Sequence, residues 1–342
     1  MNPYQLAESI LSNTLKQDEP LSSERNSFRE IDLYGHTVNS KKRDLDSEIF
    51  HLKNESGTGE ITIYYIFPGI DVAYNDMHIG YCSNTSYSAD DMIEINHCQE
   101  GRYECDFGSQ TCCYMSPGDL TISMPHKDKT SSCFPLNHYH GISVFIDLSE
   151  IPAELMTILK LLSIDLGCIT DLVCKRKRYF IVRADKSIEH IFSELYSVRD
   201  VRKPGYLKVK ILELLMFLTD FKNWEPLNDR IYLNRNQVQT IKTVQAYIVG
   251  HLRQHVTIPE LAQRFELSPT ALKNGFKEVY GTSIYAWLRA YRLQTAQQLL
   301  KNSALSIAAV AAEIGYENPN KFSSAFKQEF HISPTEYRKG HA

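Results

Sequence analysis

The spacing of apolar residues changes along this chain, and each change predicts a different kind of element. In the first 17 residues Leu6, Ile10, Leu11 and Leu15 fall at helical spacing, and a polar stretch through Ser23 and Arg25 follows. From about residue 30 to 147, short apolar segments at 61–67, 92–95, 120–124 and 141–146 are cut by Pro68-Gly69 and Pro117-Gly118-Asp119. Many short strands at such spacing predict a barrel or a sandwich. From Pro152 onward the period becomes helical. Residues 154–162 form one candidate helix. Ile188, Ile191, Phe192, Leu195 and Val198 mark a second, and Leu207, Ile211, Leu214, Leu215, Leu218 and Phe221 mark a third. The last two carry the a/d-like stripe that antiparallel helices bury, either within one chain or across a dimer. Residues 224–235, with Pro226, Asn228 and Asp229, read as a linker.

The rest of the chain is helical in pattern and contains a repeat. Thr257-Ile258, Leu261-Ala262, Ser268-Pro269, Leu272 and Phe276-Lys277 recur as Ser306-Ile307, Val310-Ala311, Asn318-Pro319, Phe322 and Phe326-Lys327. The offset is 49 residues at first and 50 from the cap-proline pair onward. Each copy predicts a capped short helix, a turn, and a second helix opened by an N-cap residue and proline. The second helices bury Leu272 and Phe276, or Phe322 and Phe326. Their other faces carry Thr270, Lys273, Asn274 and Lys277, or Asn320, Lys321, Ser323, Ser324 and Lys327. Amide, hydroxyl and Lys groups on a short helix suit the major groove of DNA. Residues 283–301 read as one long helix joining the two copies.

Charge sharpens this reading. The whole chain is formally -4, yet residues 236–342 hold 12 Lys and Arg against 7 Glu and no Asp, a surplus of +5 that leaves -9 elsewhere. A basic end on an acidic body points to a polyanionic partner. Composition sets wider bounds. With 342 residues, two or three compact units are expected. With 43% hydrophobic and 23% charged residues, a largely disordered chain is excluded. No apolar run approaches the ~20 residues of a spanning helix, and the first residues lack a signal-peptide pattern, so a cytoplasmic protein with no membrane partner is expected. All eight cysteines precede Lys175 and none forms a CxxC pair, so reduced thiols are expected and a zinc ribbon is not.

Residues 240–340 resemble the DNA-binding domain of AraC/XylS-type transcription regulators. The resemblance rests on Leu261-Ala262, Leu267-Ser268-Pro269, Leu272, Phe276-Lys277, Gly281, Arg292, Ala296, Leu299-Leu300, Ile307, Val310-Ala311, Ile314-Gly315-Tyr316, Phe322, Phe326-Lys327 and the run from Ser333 through Arg338. It implies that Thr270, Lys273 and Asn274 read one major-groove segment, and that Pro319, Asn320, Ser323 and Ser324 read the next. Lys277, Lys321, Lys327 and Arg338 become phosphate-contact candidates. Gly275 inside the first reading helix, Asn274 and Ser324 where relatives often have Arg, and His331 in place of a usual Gly depart from the pattern. Together they suggest that the first reading helix binds more weakly than the second, or is ordered only on DNA.

The resemblance also implies an α+β multidomain chain. Residues 1–148 would hold an N-terminal helix and a cupin-like effector-binding β-barrel, looser in its match, seen at Pro117-Gly118-Asp119-Leu120, Pro125-His126 and Tyr139-His140-Gly141-Ile142. Helices at 149–223 would dimerise or link, 224–235 would be a linker, and 236–342 an all-α domain with helix-turn-helix units at 257–278 and 306–328 joined by a long helix. The partners implied are double-stranded promoter DNA, a small-molecule effector, a second copy of the chain and RNA polymerase, with activation favoured over repression.

For the barrel three readings compete. An organic effector would sit among aromatic and polar residues such as Tyr64, Tyr65, Tyr81, Tyr103, Phe107, His97, His126 and His140. A metal or redox sensor would use His97, Cys98, Cys105, Cys112, Cys113, His126, Cys133, His138 and His140. His138 and His140 share a strand face, whereas Cys112 and Cys113 point to opposite faces. A cupin metalloenzyme fused to the regulator is the remote third. No nucleophile–base pair, metal set or cofactor motif is specific enough to assign, so a non-enzyme without a cofactor is expected.

Overall fold

The computed structural model describes residues 37–43, 47–83, 92–106, 111–124, 131–175, 179–198, 203–219 and 233–341. The expected N-terminal helix, Phe107, His126, Phe221 and most of the expected linker lie outside these residues.

The first half is built on two sheets. The strands are β1 (Val38–Arg43), β2 (Ser47–Asn54), β3 (Gly57–Phe67), β4 (Ile70–His78), β5 (Tyr81–Ser83), β6 (Met92–Gly101), β7 (Tyr103–Asp106), β8 (Thr111–Met115), β9 (Asp119–Ser123), β10 (Ser131–Cys133), β11 (Tyr139–Asp147), β12 (Tyr179–Arg183) and β13 (Leu233–Asn234). The larger sheet runs β1-β2-β3-β4-β11-β6-β9-β12 and the smaller β13-β8-β7-β10-β5, with every strand pairing antiparallel to its neighbours. Alternation sorts the side chains. Phe50, Ile61, Ile63, Ala73 and Met77 meet Tyr103, Cys113, Met115 and Phe134 in one apolar core shared by the two sheets. The opposite face of the larger sheet, with Val72, Ile95, Ile122 and Val144, is covered by helices. A strand buried on both faces loses the simple polar alternation, which is why these segments read as short apolar runs.

The covering helices are α1 (Ala153–Leu161), α2 (Leu166–Lys175), α3 (Lys186–Ser197) and α4 (Lys203–Thr219). The a/d-like stripe is a core within the chain: Ile188, Ile191, Phe192 and Leu195 of α3 and Leu207, Ile211, Leu214, Leu215 and Leu218 of α4 pack together beneath the sheet. A different set on α4 faces solvent, with Val209 63%, Met216 45% and Phe217 41% exposed. Two elements correct the expectations. The region after Pro152 is not wholly helical, because Tyr179–Arg183 is a strand beside β9, as its β-branched and aromatic run favours. The expected linker is not free to its end, because Leu233 pairs with Cys112 in the smaller sheet.

The second half is helical: α5 (Arg235–Gly250), α6 (Ile258–Arg264), α7 (Pro269–Tyr280), α8 (Ile284–Asn302), α9 (Ile307–Glu313), α10 (Pro319–Phe330) and α11 (Pro334–His341). Two cores hold it. The first gathers Val238, Ile241, Leu261, Leu272, Phe276 and Trp287 together with Cys112, Tyr114 and Leu233 of the smaller sheet. The second gathers Leu293, Ala296, Leu300, Val310, Ile314, Phe322 and Phe326. α8 serves both. At about 100° per residue, Ile284, Trp287 and Leu288 lie on one side and Leu293, Ala296 and Leu300 on the roughly opposite side. Its apolar face therefore switches halfway along. Among the described residues no helix is long and apolar enough to cross a membrane.

Candidate nucleic-acid interface

The repeat folds into two similar helix pairs. Thr257 and Glu260 close a capping box on α6, and Ser306 caps α9 through the Ala309 N–H at 3.1 Å. Each short helix ends on the same backbone bond, Leu267 N–H to Ala262 O and Tyr316 N–H to Ala311 O, both 2.9 Å. This closure requires a left-handed residue, supplied by Glu266 at φ 55° in the first pair and Gly315 at φ 79° in the second. The following helices open alike. Ser268 accepts from the Ala271 N–H at 3.1 Å, Asn318 accepts from the Asn320 N–H at 2.8 Å, and Pro269 and Pro319 stand in the first turn. Their C-caps invert the earlier choice: Gly281 lies at φ 75° and His331 at φ 59°. His331 thus occupies the conformation that glycine adopts in the first copy.

One face of each second helix is buried and the other is wet. Leu272, Gly275, Phe276, Val279 and Tyr280 of α7 are buried, whereas Thr270, Lys273, Asn274 and Lys277 are exposed. On α10, Phe322 and Phe326 are buried, and Pro319, Asn320, Lys321, Ser324 and Lys327 are exposed. Two expectations need correction. Ser323 is half-buried, and so is Arg338, whose Nε and Nη2 are buried without a hydrogen-bond partner. Arg338 therefore turns part of its guanidinium inward. Gly275 does not interrupt α7. A Cβ there would meet Ile241 Cδ1 at 3.0 Å, so glycine lets α5 approach closely.

Arginines set the relation of the two pairs. Arg292 donates to Leu252 O at 2.6 Å and to Gln254 O at 3.2 Å. Arg253 pairs with Glu313, and Arg289 donates to Gln328 at 2.7 Å. The first pair is also fastened to the sheets. Arg102, buried beside Tyr114, donates to Ser116 Oγ at 2.8 Å and to the Glu278 carbonyl in the last turn of α7. Cationic charge at a helix C-terminus is favourable there. Lys242 of α5 meets Glu104 of β7 at 2.6 Å. Burial opposes the Lys242 charge, but Glu104 outweighs it and raises the pKa.

Among the described residues, those expected to bind an effector do not form one site. Tyr103 lies in the core between the sheets, with Phe134 and Tyr139 rings 5.7 and 5.6 Å away. Tyr64 packs edge-on to Tyr74 beneath the helices. His97 is buried there too, stacked on Phe192 at 4.1 Å with Nδ1 3.1 Å from the Tyr196 hydroxyl. Burial, aided by the Arg183 charge, lowers its pKa to about 4, so it is neutral although Glu189 is 3.9 Å away. Tyr81 borders a cleft of 1330 Å³ between the sheets and the helical half, with Arg102, Phe134, Lys242, Tyr280 and Trp287. His140 sits on the sheet rim beside Asp76. Cys112 and Cys113 do face opposite ways, into the helical and inter-sheet cores respectively. Burial pushes the Cys82 thiol up to about 12 and raises Cys98, which opposes thiolate chemistry at both. Sequence reading missed Arg102, Lys242 and His78. Only pairing between distant strands and helices brings them to their sites.

Residues 261–340 match the family described as "Helix-turn-helix domain". The HTH-type transcriptional regulator ExsA of Pseudomonas aeruginosa is 30% identical over 132 residues, covering 39% of this chain and 47% of that protein. The HTH-type transcriptional activator RhaS of Escherichia coli is 30% identical over 141 residues, covering 41% and 48%. The arabinose operon regulatory protein of Salmonella typhimurium is 27% identical over 165 residues, covering 46% and 57%. The chain thus spans about half the length of these relatives. Among solved structures, the DNA-binding domain of AdpA in complex with a target DNA is 28% identical, covering 30% of this chain and 91% of that one at a TM-score of 0.29. The C-terminal part of this chain, residues 261–340, is a helix-turn-helix domain of the AraC type.

Proposed function

We propose that this protein is a sequence-specific transcription regulator in which α7 and α10 enter successive major-groove segments of double-stranded promoter DNA. One observation carries the reading: two helices opened by the same cap-proline device each bury an aromatic face and expose a face of Lys, Asn, Ser and Thr. On α7 the reading residues are Thr270, Lys273 and Asn274. On α10 they are Pro319, Asn320 and Ser324, with the half-buried Ser323 beside them. Lys277, Lys321 and Lys327 meet phosphates. α8, with 19 residues, rises about 28 Å and spaces the two helices for neighbouring turns of the duplex.

A small effector acts through the contacts between the halves. It occupies the cleft beside Tyr81, Lys242 and Tyr280 rather than the inter-sheet core, which Tyr103, Phe134 and Tyr139 fill. Occupancy shifts the balance between first-pair helices held by Arg102 and released ones, and so the grip on the first half-site. The exposed Val209, Met216 and Phe217 of α4 serve a homodimer contact. Activation would then proceed by contact with RNA polymerase, the partner that the AraC/XylS resemblance implies. The test is binding of the full chain to promoter fragments from its own genome. Retention of a discrete fragment, weakened on every sequence by Lys327→Ala with a shallower salt dependence, is the expected result. Equal retention of all fragments overturns the proposal.

A further inference from the structure

A row of groups crosses the rim of the larger sheet on five adjacent strands. His51, Glu60, Asp76, His140 and Glu100 are successive cross-strand partners, so imidazole and carboxylate nearly alternate. Ion pairing between neighbouring strands explains most of this row. It does not explain the next position. His78 ends β4 and His138 precedes β11, one step beyond the Tyr139–Met77 pair, and they join His140. The ring centroids of His78 lie 5.3 Å from His138 and 5.5 Å from His140, and those of His138 and His140 lie 4.7 Å apart. One ligating nitrogen from each falls within 4.8 Å of the other two.

We propose that His78, His138 and His140 bind one divalent transition-metal ion of the zinc class, with the Asp76 carboxylate beside two of them. Asp76 Oδ1 already stands 3.0 Å from His78 Nε2 and 2.7 Å from His140 Nε2, so both imidazoles converge on one carboxylate oxygen. His140 Nε2 is shut off from water, and its approach to Asp76 is not aligned as a hydrogen bond. A metal ion placed between them would use both lone pairs. Zn–N bonds of about 2.0–2.1 Å require the rings to close by small rotamer changes, which half-exposed side chains at strand ends permit. A second carboxylate, Glu100, borders the cluster 3.2 Å from His138 Nε2. The backbone around His138 is fixed, since its carbonyl accepts from the Arg102 N–H at 3.4 Å and Phe134 N–H donates to Gly80 O at 2.8 Å. Three imidazole donors favour zinc, nickel or copper(II) over magnesium or calcium. The site borders the cleft, which His78 and His138 help to line.

The test uses the untagged full chain, stripped with a chelator and titrated calorimetrically with Zn²⁺ alone. One Zn²⁺ per chain is expected, bound about tenfold or more weakly by His78→Gln and by His140→Gln. The same affinity is expected when Cys133→Ser, Cys168→Ser and Cys174→Ser are combined. Co²⁺ should give ligand-field absorption without a thiolate charge-transfer band. Absence of Zn²⁺ binding, binding that survives both histidine substitutions, or binding lost in the cysteine variant would overturn the site. His78 is exposed at a strand end, so His78→Gln remains informative if His140→Gln does not fold. The readout involves no DNA, so its failure leaves the preceding proposal standing.

Discussion

The two helix pairs are copies of one scheme in two different settings. The second closes on itself, and its core of Leu293, Ala296, Val310, Phe322 and Phe326 contains no residue from the sheets. The first shares its core with Cys112, Tyr114 and Leu233, and its α7 carries Arg102 on its last turn. Duplication therefore produced one helix pair whose core is its own and one whose core the sheets share, so that under the proposed function an effector would govern the position of the first pair only. That difference is what a regulated DNA grip requires, and it does not show in the repeated residues themselves.

The largest expected effect separates the two cores. Phe276→Ala and Phe326→Ala should each cost about 3–5 kcal/mol. In urea titrations followed by amide exchange, Phe326→Ala should expose only the second pair, and Phe276→Ala should also loosen β8 and β13. Loss of protection over the same residues in both variants would break the comparison.

Next comes a pH effect confined to the sheet half. His97 is held neutral with a pKa of about 4, below its ordinary value of about 6.5. A lowered pKa gives stability that is full above pH ~6.5 and is lost as pH falls toward 4, worth roughly 3 kcal/mol. Unfolding of the sheet half monitored between pH 7 and 4 should show this loss, and His97→Phe should remove most of it. The second helix pair should be indifferent from pH 7 to about 5, above the range in which Glu313 begins to titrate.

Arg102→Ala tests the fastening. It leaves Ser116 and the α7 terminus without their donor, at a cost of about 1–3 kcal/mol. In a footprint, protection of the first half-site should change while that of the second stays constant. Parallel changes at both would mean that α8 transmits the disturbance, and the two pairs would then be one unit.

The smallest effect concerns the caps. Glu266 and His331 hold left-handed conformations that their counterparts Gly315 and Gly281 adopt freely. Glu266→Gly and His331→Gly should each stabilise by about 0.5–1 kcal/mol in thermal unfolding. A loss at either position would mean that the side chain itself makes a stabilising contact.

Much of the helical half was legible because its signals are local. Ser268-Pro269 and Asn318-Pro319 state where helices begin, and the spacing of Leu272 with Phe276 and of Phe322 with Phe326 states which face is buried. The strands at 61–67 and 141–146 were legible for the same reason. What stayed hidden depends on pairing across long separations. β12 sits among helices in sequence and joins the sheet only beside β9. Arg102 is separated from Glu278 by 176 residues, and His78 gains meaning only when β4 meets β11. The expected effector residues fall in separate places, Tyr103 in the inter-sheet core and Tyr81 on the cleft, because aromatic content does not tell a filled core from a cleft wall.

Direct base reading by α10, as proposed, is tested best by base preference at one operator position. Against a set of duplexes varied at each position, Asn320→Ala should flatten discrimination at a single base pair by about 1–3 kcal/mol and leave the other positions intact. Unchanged discrimination at every position, with affinity preserved, would mean that α10 does not read bases through Asn320.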